Sequence, residues 1–257
     1  MHDFAGYIFD LDGTVYLGEH LLPGAEEALA SLRAAGKHVA FVSNNPLGRA
    51  SEYVAKLNDL GVHASPEEVI NSAGALRLSL SEKRPGAHVF LIGEEPVREE
   101  LTAGGFVLTD SPQEAEVVVV SWDRQVTYAQ LNQAFAALRR GAYFVATHPD
   151  VTCPLPGGSE WLDAGAFIAL FEAAIGRKVD AIAGKPSPLM LEVILHQWGL
   201  PPSECLLVGD RLETDIALGR RAGVATALVL TGVTSPDQAT AHPRQPDFIL
   251  QSIAELA

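Results

Sequence analysis

The sequence predicts an α/β fold in which a parallel sheet covered by helices is interrupted by a second α/β stretch. Two observations carry this. Short apolar runs alternate with segments of helical periodicity, the pattern of a parallel sheet with crossover helices. The polar loops that close those runs at the two ends of the chain share one grammar that the middle lacks. Residues 83–180 therefore read as an inserted domain, and 1–82 with 181–257 as its host.

The elements follow in order. Gly6-Tyr7-Ile8-Phe9 is an apolar strand running into Asp10-Leu11-Asp12-Gly13-Thr14. Pro23 suits a helix start, and Ala25, Ala28, Leu29 and Leu32 recur at helical spacing before Gly36 ends the run. Val39–Val42 is a second strand, delivering Ser43-Asn44-Asn45-Pro46, and a helix is expected from Leu47 to Leu60. In the middle, His88–Ile92, Glu116–Trp122 and Ala142–Ala146 read as strands, with helices over Pro96–Ala103, Tyr128–Arg140 and Ala164–Ala174. A loop rich in Pro and Gly spans Thr147–Glu160. The first pattern then resumes with Gly184-Lys185-Pro186, a helix, the strand Cys205–Val208 and Gly209-Asp210.

Bulk properties exclude several classes. Of 257 residues, 47% are apolar and 19% charged, enough to bury a substantial core. A formal net charge of −14 argues against sequence-independent nucleic-acid binding and against anionic membranes, both of which need clustered cations. It leaves a small anionic substrate open, because a local cation can dominate a site. Cys153 and Cys205 have no pairing or zinc-ligand spacing and read as thiols of a reducing compartment. Met1-His2-Asp3 opens no basic-then-apolar leader, and no run reaches the roughly 18 apolar residues of a membrane span. These signals predict a cytoplasmic protein.

The chemistry lies at the strand ends. On a strand, residues i and i+2 share a face, which would bring Asp10 and Asp12 together. Such a pair raises its own pKa values unless a cation or proton intervenes, so it asks for Mg²⁺ or for one protonated partner. In an open parallel sheet the loops at the carboxyl ends of the strands gather at one edge. Asp10, Asp12, Ser43, Lys185 and Asp210 would meet there: a hard-oxygen donor set suited to Mg²⁺, a hydroxyl and a fixed cation. One carboxylate could attack phosphorus, another could protonate the leaving oxygen, and the lysine could offset developing charge. The plainer readings are that Ser43 caps a helix, Lys185 is a surface lysine and Asp215 is a helix N-terminal acid.

The ordered segments DLDGTVY, SNNP, GKP and GDRLETDIALG resemble the four motifs of the haloacid dehalogenase-like hydrolases. With the large insertion between the second and third, the chain resembles the branch of NagD and the p-nitrophenyl phosphatases, and HPDVTCP with the following glycines extends the likeness into the insertion. The resemblance implies a Rossmann-like core with an inserted α/β cap, and a Mg²⁺-dependent phosphatase acting on a small phosphorylated metabolite. It implies that Asp10 is the nucleophile and Asp12 the general acid and base. Asp10, the Asp12 carbonyl and Asp210 would hold the metal. Ser43, Asn44 and Lys185 would contact the phosphoryl group, with Asp215 behind them, orienting metal waters or Lys185. An exposed cap face could support a homodimer. His148, Leu47 and Trp161-Leu162-Asp163 depart from the family pattern, mainly on the substrate side; His148 and Asp150 could touch substrate or be structural, and Trp161 could be a lid aromatic or a packing residue. Two rival functions remain: a receiver-like phospho-accepting switch, and a dehalogenase, which would need neither Mg²⁺ nor Asp12.

Overall fold

Gly6–Asp10 is the strand on which the first part of the molecule is organised. It pairs in parallel with Cys205–Gly209 on one side and His38–Ser43 on the other, and all five of its residues are buried. The six-stranded sheet runs in the order Phe248–Leu250, Ala225–Val229, Cys205–Gly209, Gly6–Asp10, His38–Ser43, Val69–Asn71. Strands of this kind, buried on both faces, read as continuous apolar runs rather than alternating ones. LLV within Cys205–Gly209 and YIF within Gly6–Asp10 show why. The computed structural model describes residues 3–154, 159–243 and 245–257. Met1, His2 and the two glycines after HPDVTCP, Gly157 and Gly158, lie outside the described residues.

The chain divides into two compact units. The first comprises Met1–Ser43, Ala50–Ile70 and Lys185–Ala257; the second comprises Asn44–Arg49 and Asn71–Gly184. The second unit has its own parallel sheet, ordered Ala181–Ile182, Tyr143–Ala146, Val117–Val120, His88–Ile92, Val107–Leu108. Its centre, Val117–Val120, is four consecutive buried valines. Helices Tyr128–Arg139 and Ala164–Ile175 pack on that sheet through Ala134, Leu138, Phe167 and Phe171. Thr127 and Gln130 close a reciprocal capping box at the start of the first of these helices, and Gly176 in the left-handed region (φ 72°) ends the second. An antiparallel hairpin pairs Thr152–Pro154 with Glu160–Leu162.

These boundaries fall elsewhere than at 82/83 and 180/181. Helix Ser72–Lys83 groups with the second unit because it packs on helix Glu95–Ala103, with Arg77 Nε donating to Glu100 at 2.9 Å. Ala181–Ile182 belongs there because it extends the second sheet beside Val145 and Ala146. The helix expected from Leu47 begins only at Ala50. Pro46 disfavours helical backbone at Asn45, and the Asn45 side chain instead accepts from the Leu47 N–H at 2.9 Å, closing a local turn. Among the described residues no helix is long and apolar enough to cross a membrane.

Candidate active site

In the first unit, three neighbouring strands end at one edge of the sheet and place one chemical group each. Gly6–Asp10 ends on Asp10, His38–Ser43 on Ser43, and Cys205–Gly209 immediately before Asp210. Asp10, Ser43 and Asp210 are all buried. This is the crevice position that parallel sheets reserve for ligands.

Lys185 is the hub. It is only 3% exposed, and its ammonium lies 2.5 Å from Asp10 Oδ1 and 2.7 Å from Asp215 Oδ1. Burial alone would discharge it, but Asp10 and Asp215 outweigh burial and hold its pKa above the usual lysine value. Burial pushes the Asp10 carboxyl up to about 6; Lys185 pulls it down and Asp210 pushes it further up. Burial likewise lifts Asp215 to about 6, opposed by Lys185 and reinforced by Asp10. Asp210 is raised as well, by burial and by Asp215.

Asp10, Asp210 and Asp215 each offer an oxygen, and those atoms lie within 4.8 Å of one another. Asp210 accepts from the Val233 N–H through Oδ2 at 2.7 Å, whereas its buried Oδ1 has no hydrogen-bond partner. One lysine does not balance three buried carboxylates, and an orphaned carboxylate oxygen is costly in a dry site. The donor set therefore fits a hard divalent cation, with a few carboxylate oxygens and room for water or substrate oxygens.

The backbone around this cluster leaves no room for side chains. A Cβ on Gly232 would lie 2.0 Å from Asp210 Oδ2, one on Gly13 2.7 Å from the same atom, and one on Gly209 2.3 Å from the Asp215 carboxyl carbon. Thr231 Oγ1 donates to the Gly13 carbonyl at 2.6 Å and ties these loops together. Sequence reasoning passed over the Thr231–Thr234 loop. Its signal was present, since the apolar run Ala225–Val229 empties into Thr-Gly as the other functional strands empty into polar loops.

One sequence expectation changes. The strand ends at Asp10, so the two-residue alternation does not continue to Asp12, whose side chain is exposed. Asp215 takes the place in the carboxylate cluster that alternation would give Asp12. A π-helical turn over Leu212–Ile216 delivers it, with Asp215 Oδ2 accepting from the Arg211 N–H at 3.1 Å. Asp215 thus pairs directly with Lys185.

Ser43 is bonded to the Tyr53 hydroxyl within the first unit. Asn44 groups with the second unit, where its amide donates to Asp150 at 3.0 Å and its carbonyl accepts from Ser72 Oγ at 2.6 Å. His148 is 1% exposed and both ring nitrogens are engaged inside the unit, Nε2 with Asp163 and Nδ1 with Thr147, at 2.8 Å each. That is a structural histidine. Trp161 is half exposed on the hairpin, and its neighbour Leu162 accepts from the Trp122 indole at 2.9 Å. Neither cysteine is disulfide-bonded.

Comparison with known proteins adds the lineage. Residues 7–107 match the family model described as haloacid dehalogenase-like hydrolase, and residues 182–256 match a second model, HAD-hydrolase-like. The sugar-phosphatase AraL of Bacillus subtilis is 35% identical over 98% of this chain and 92% of its own length. The structure of a 4-nitrophenylphosphatase from Thermotoga maritima superposes with a TM-score of 0.93 at 37% identity, covering 99% of this chain and 96% of that one. NagD from Escherichia coli K-12 superposes at 0.88 with 30% identity, covering 99% and 98%.

Proposed function

This chain belongs to the haloacid dehalogenase-like hydrolases, in the branch of NagD and the p-nitrophenyl phosphatases, and on that footing we propose a Mg²⁺-dependent phosphatase of small phosphate monoesters working through phospho-Asp10. The observation that carries the reading is the cluster of Asp10, Asp210 and Asp215 around Lys185, with one Asp210 oxygen left unsatisfied. Asp10, the Asp12 carbonyl and Asp210 would hold the ion, with Asp215 supporting it and Lys185. When bound, Mg²⁺ would neutralise carboxylate charge and withdraw electron density from the phosphoryl oxygens.

The chain's own groups then divide the work. An Asp10 oxygen forms a bond to phosphorus as the bond to the leaving oxygen breaks, and Asp12 gives that oxygen its proton. Asp12, now ionised, takes a proton from water as the water oxygen bonds to phosphorus and the Asp10–phosphorus bond breaks. Inorganic phosphate leaves, and both carboxyls return to their starting states. Lys185, Ser43 and Asn44 would meet the charge on the equatorial oxygens.

Sugar phosphates and aryl phosphates are the first candidates, from the names of the relatives. The second unit would act as a cap that selects the leaving group, and the protein would work in the cytoplasm. The test is phosphate release across a panel of esters with Mg²⁺, wild type against Asp10→Asn. Turnover by the wild type and loss of roughly a thousandfold or more in a folded Asp10→Asn protein is the expected result. Full activity of Asp10→Asn would remove the mechanism; haloacid turnover in chelator would favour a dehalogenase.

A further inference from the structure

Asp150 has no place in the carboxylate cluster, yet its surroundings in the second unit fix it in position. Its backbone carbonyl accepts from the Gly165 N–H at 2.8 Å, and a Cβ on Gly165 would lie 2.2 Å from the Pro149 carbonyl oxygen. One residue on, the Val151 carbonyl accepts from the Asp163 N–H at 2.9 Å. At the start of the loop the Thr147 carbonyl accepts from the Gly184 N–H at 2.6 Å. Between them, His148 joins Asp163 on one side and Thr147 on the other, and Thr147 Oγ1 lies 2.9 Å from Ser121 Oγ. Four buried polar side chains in series are an expensive way to build a loop unless its geometry matters.

What this loop presents is the Asp150 carboxylate, 3.0 Å from Asn44 Nδ2. An ionised carboxylate only accepts, so it fixes which end of the Asn44 amide is nitrogen. The other end is fixed too: a Cβ on Gly184 would lie 2.6 Å from Asn44 Oδ1, so only glycine admits the amide in this orientation. Ser72 Oγ donates to the Asn44 backbone carbonyl at 2.6 Å and steadies the main chain that carries the amide. With one Nδ2 hydrogen directed at Asp150, planarity of the amide sets the direction of the second. Asn44 is one peptide bond from Ser43, at the end of the strand beside Asp10.

We propose that Asp150 is a positioning residue for the phosphoryl contact: it orients the Asn44 amide, and the buried Thr147–His148–Asp163 chain holds the loop that carries it. This rests on the phosphatase reading. It differs from a direct hold on substrate, because a residue that acts through Asn44 affects the part every ester shares and is indifferent to the leaving group.

The experiment measures kcat/KM with Mg²⁺ for p-nitrophenyl phosphate, a sugar phosphate and a nucleoside monophosphate, and calorimetric binding of inorganic phosphate. The proteins compared are wild type, Asp150→Ala, Asp150→Asn, Asn44→Ala and the Asn44→Ala/Asp150→Ala pair. Asp150→Ala is expected to lower kcat/KM roughly tenfold, the worth of one well-placed hydrogen bond, by the same factor for all three esters. Phosphate affinity should fall in step, Asp150→Asn should recover most of the loss because its amide oxygen still accepts, and Asp150→Ala should add little once Asn44 is alanine. Losses that differ among esters, or that add fully to those of Asn44→Ala, would overturn the proposal in favour of direct contact. A fall in melting temperature with unchanged kinetics and phosphate affinity would reduce Asp150 to a structural role. If the wild type turned over none of the esters, the phosphatase reading would fail, while phosphate binding by the same variants would still decide the coupling of Asp150 to Asn44.

Discussion

At the scale of single residues, the same side-chain chemistry does different work according to burial. Asp10 sits beneath Lys185 with its pKa pushed up to about 6, whereas Asp12, two residues on, is in solvent. The first is arranged for attack and the second for proton traffic. Asp12→Asn is therefore expected to slow turnover by roughly 10²–10⁴-fold, the usual contribution of a positioned acid or base. An ester with a good leaving group needs less protonation, so its phosphorylation step should suffer least while hydrolysis of phospho-Asp10 stays slow. A burst of p-nitrophenol followed by a slow steady state would show this in stopped flow; unaltered steady-state rates would assign the acid elsewhere. Asp10, Ser43, Lys185 and Asp210 were all legible in the sequence, because each follows an apolar strand or a tight Gly turn. Asp215 was expected beside metal waters or Lys185 and does pair with Lys185; the π-helical turn that brings it there is a winding that residue spacing does not announce. The alternation that would carry Asp12 into the carboxylate cluster fails for a related reason: only the structure shows that the strand stops at Asp10.

At the scale of elements, the site depends on backbone that can approach carboxylates closely. The loop Thr231–Thr234 wraps Asp210, whose Oδ2 accepts from Val233 and whose carbonyl accepts from the Thr234 N–H at 3.2 Å. Gly232→Ala would drive a methyl group to 2.0 Å from that carboxylate, too close for a small adjustment. A loss of about 1–3 kcal/mol is expected for such overpacking, with Mg²⁺ affinity falling because Asp210 must move. Thermal melts and a Mg²⁺ titration of the variant check both; wild-type Mg²⁺ affinity would show that the loop yields without disturbing Asp210. The long elements were readable from pattern: His88–Ile92 and Ala164–Ile175 agree with expectation within a residue, since apolar period and a terminal Gly176 define them. The segments that were not readable owe their form to contacts distant in sequence. In Asn44–Arg49 the local turn at Pro46 is joined by contacts distant in sequence, since Asn71 holds the Gly48 carbonyl at 2.7 Å and Arg49 pairs with Glu99, partners that no local window contains.

At the scale of the whole molecule, the carboxylate cluster makes stability depend on protons and metal together. Asp10 and Asp215 each have a pKa of about 6 in the folded metal-free protein, against an ordinary value of 3.8. Because the folded pKa is the higher, these groups bind more protons folded than unfolded between those values. Their contribution to stability therefore falls as pH rises through that window, and the full penalty is present above about pH 6. A divalent cation removes the penalty by replacing the missing protons, and at pH 5 it must displace protons to bind. Mg²⁺ at 100 times its dissociation constant would stabilise by about 2.7 kcal/mol, or roughly 5–10 °C in melting temperature for a protein of this size. The expected outcome is a Mg²⁺-induced rise in melting temperature that is large at pH 7.5 and much smaller at pH 5. Taking the difference with and without Mg²⁺ at each pH cancels every titrating group remote from the site. Asp210→Asn should abolish the rise at pH 7.5, because it removes the charge behind the unsatisfied oxygen. An equal rise at both pH values, or one that survives Asp210→Asn, would place the cation away from this cluster.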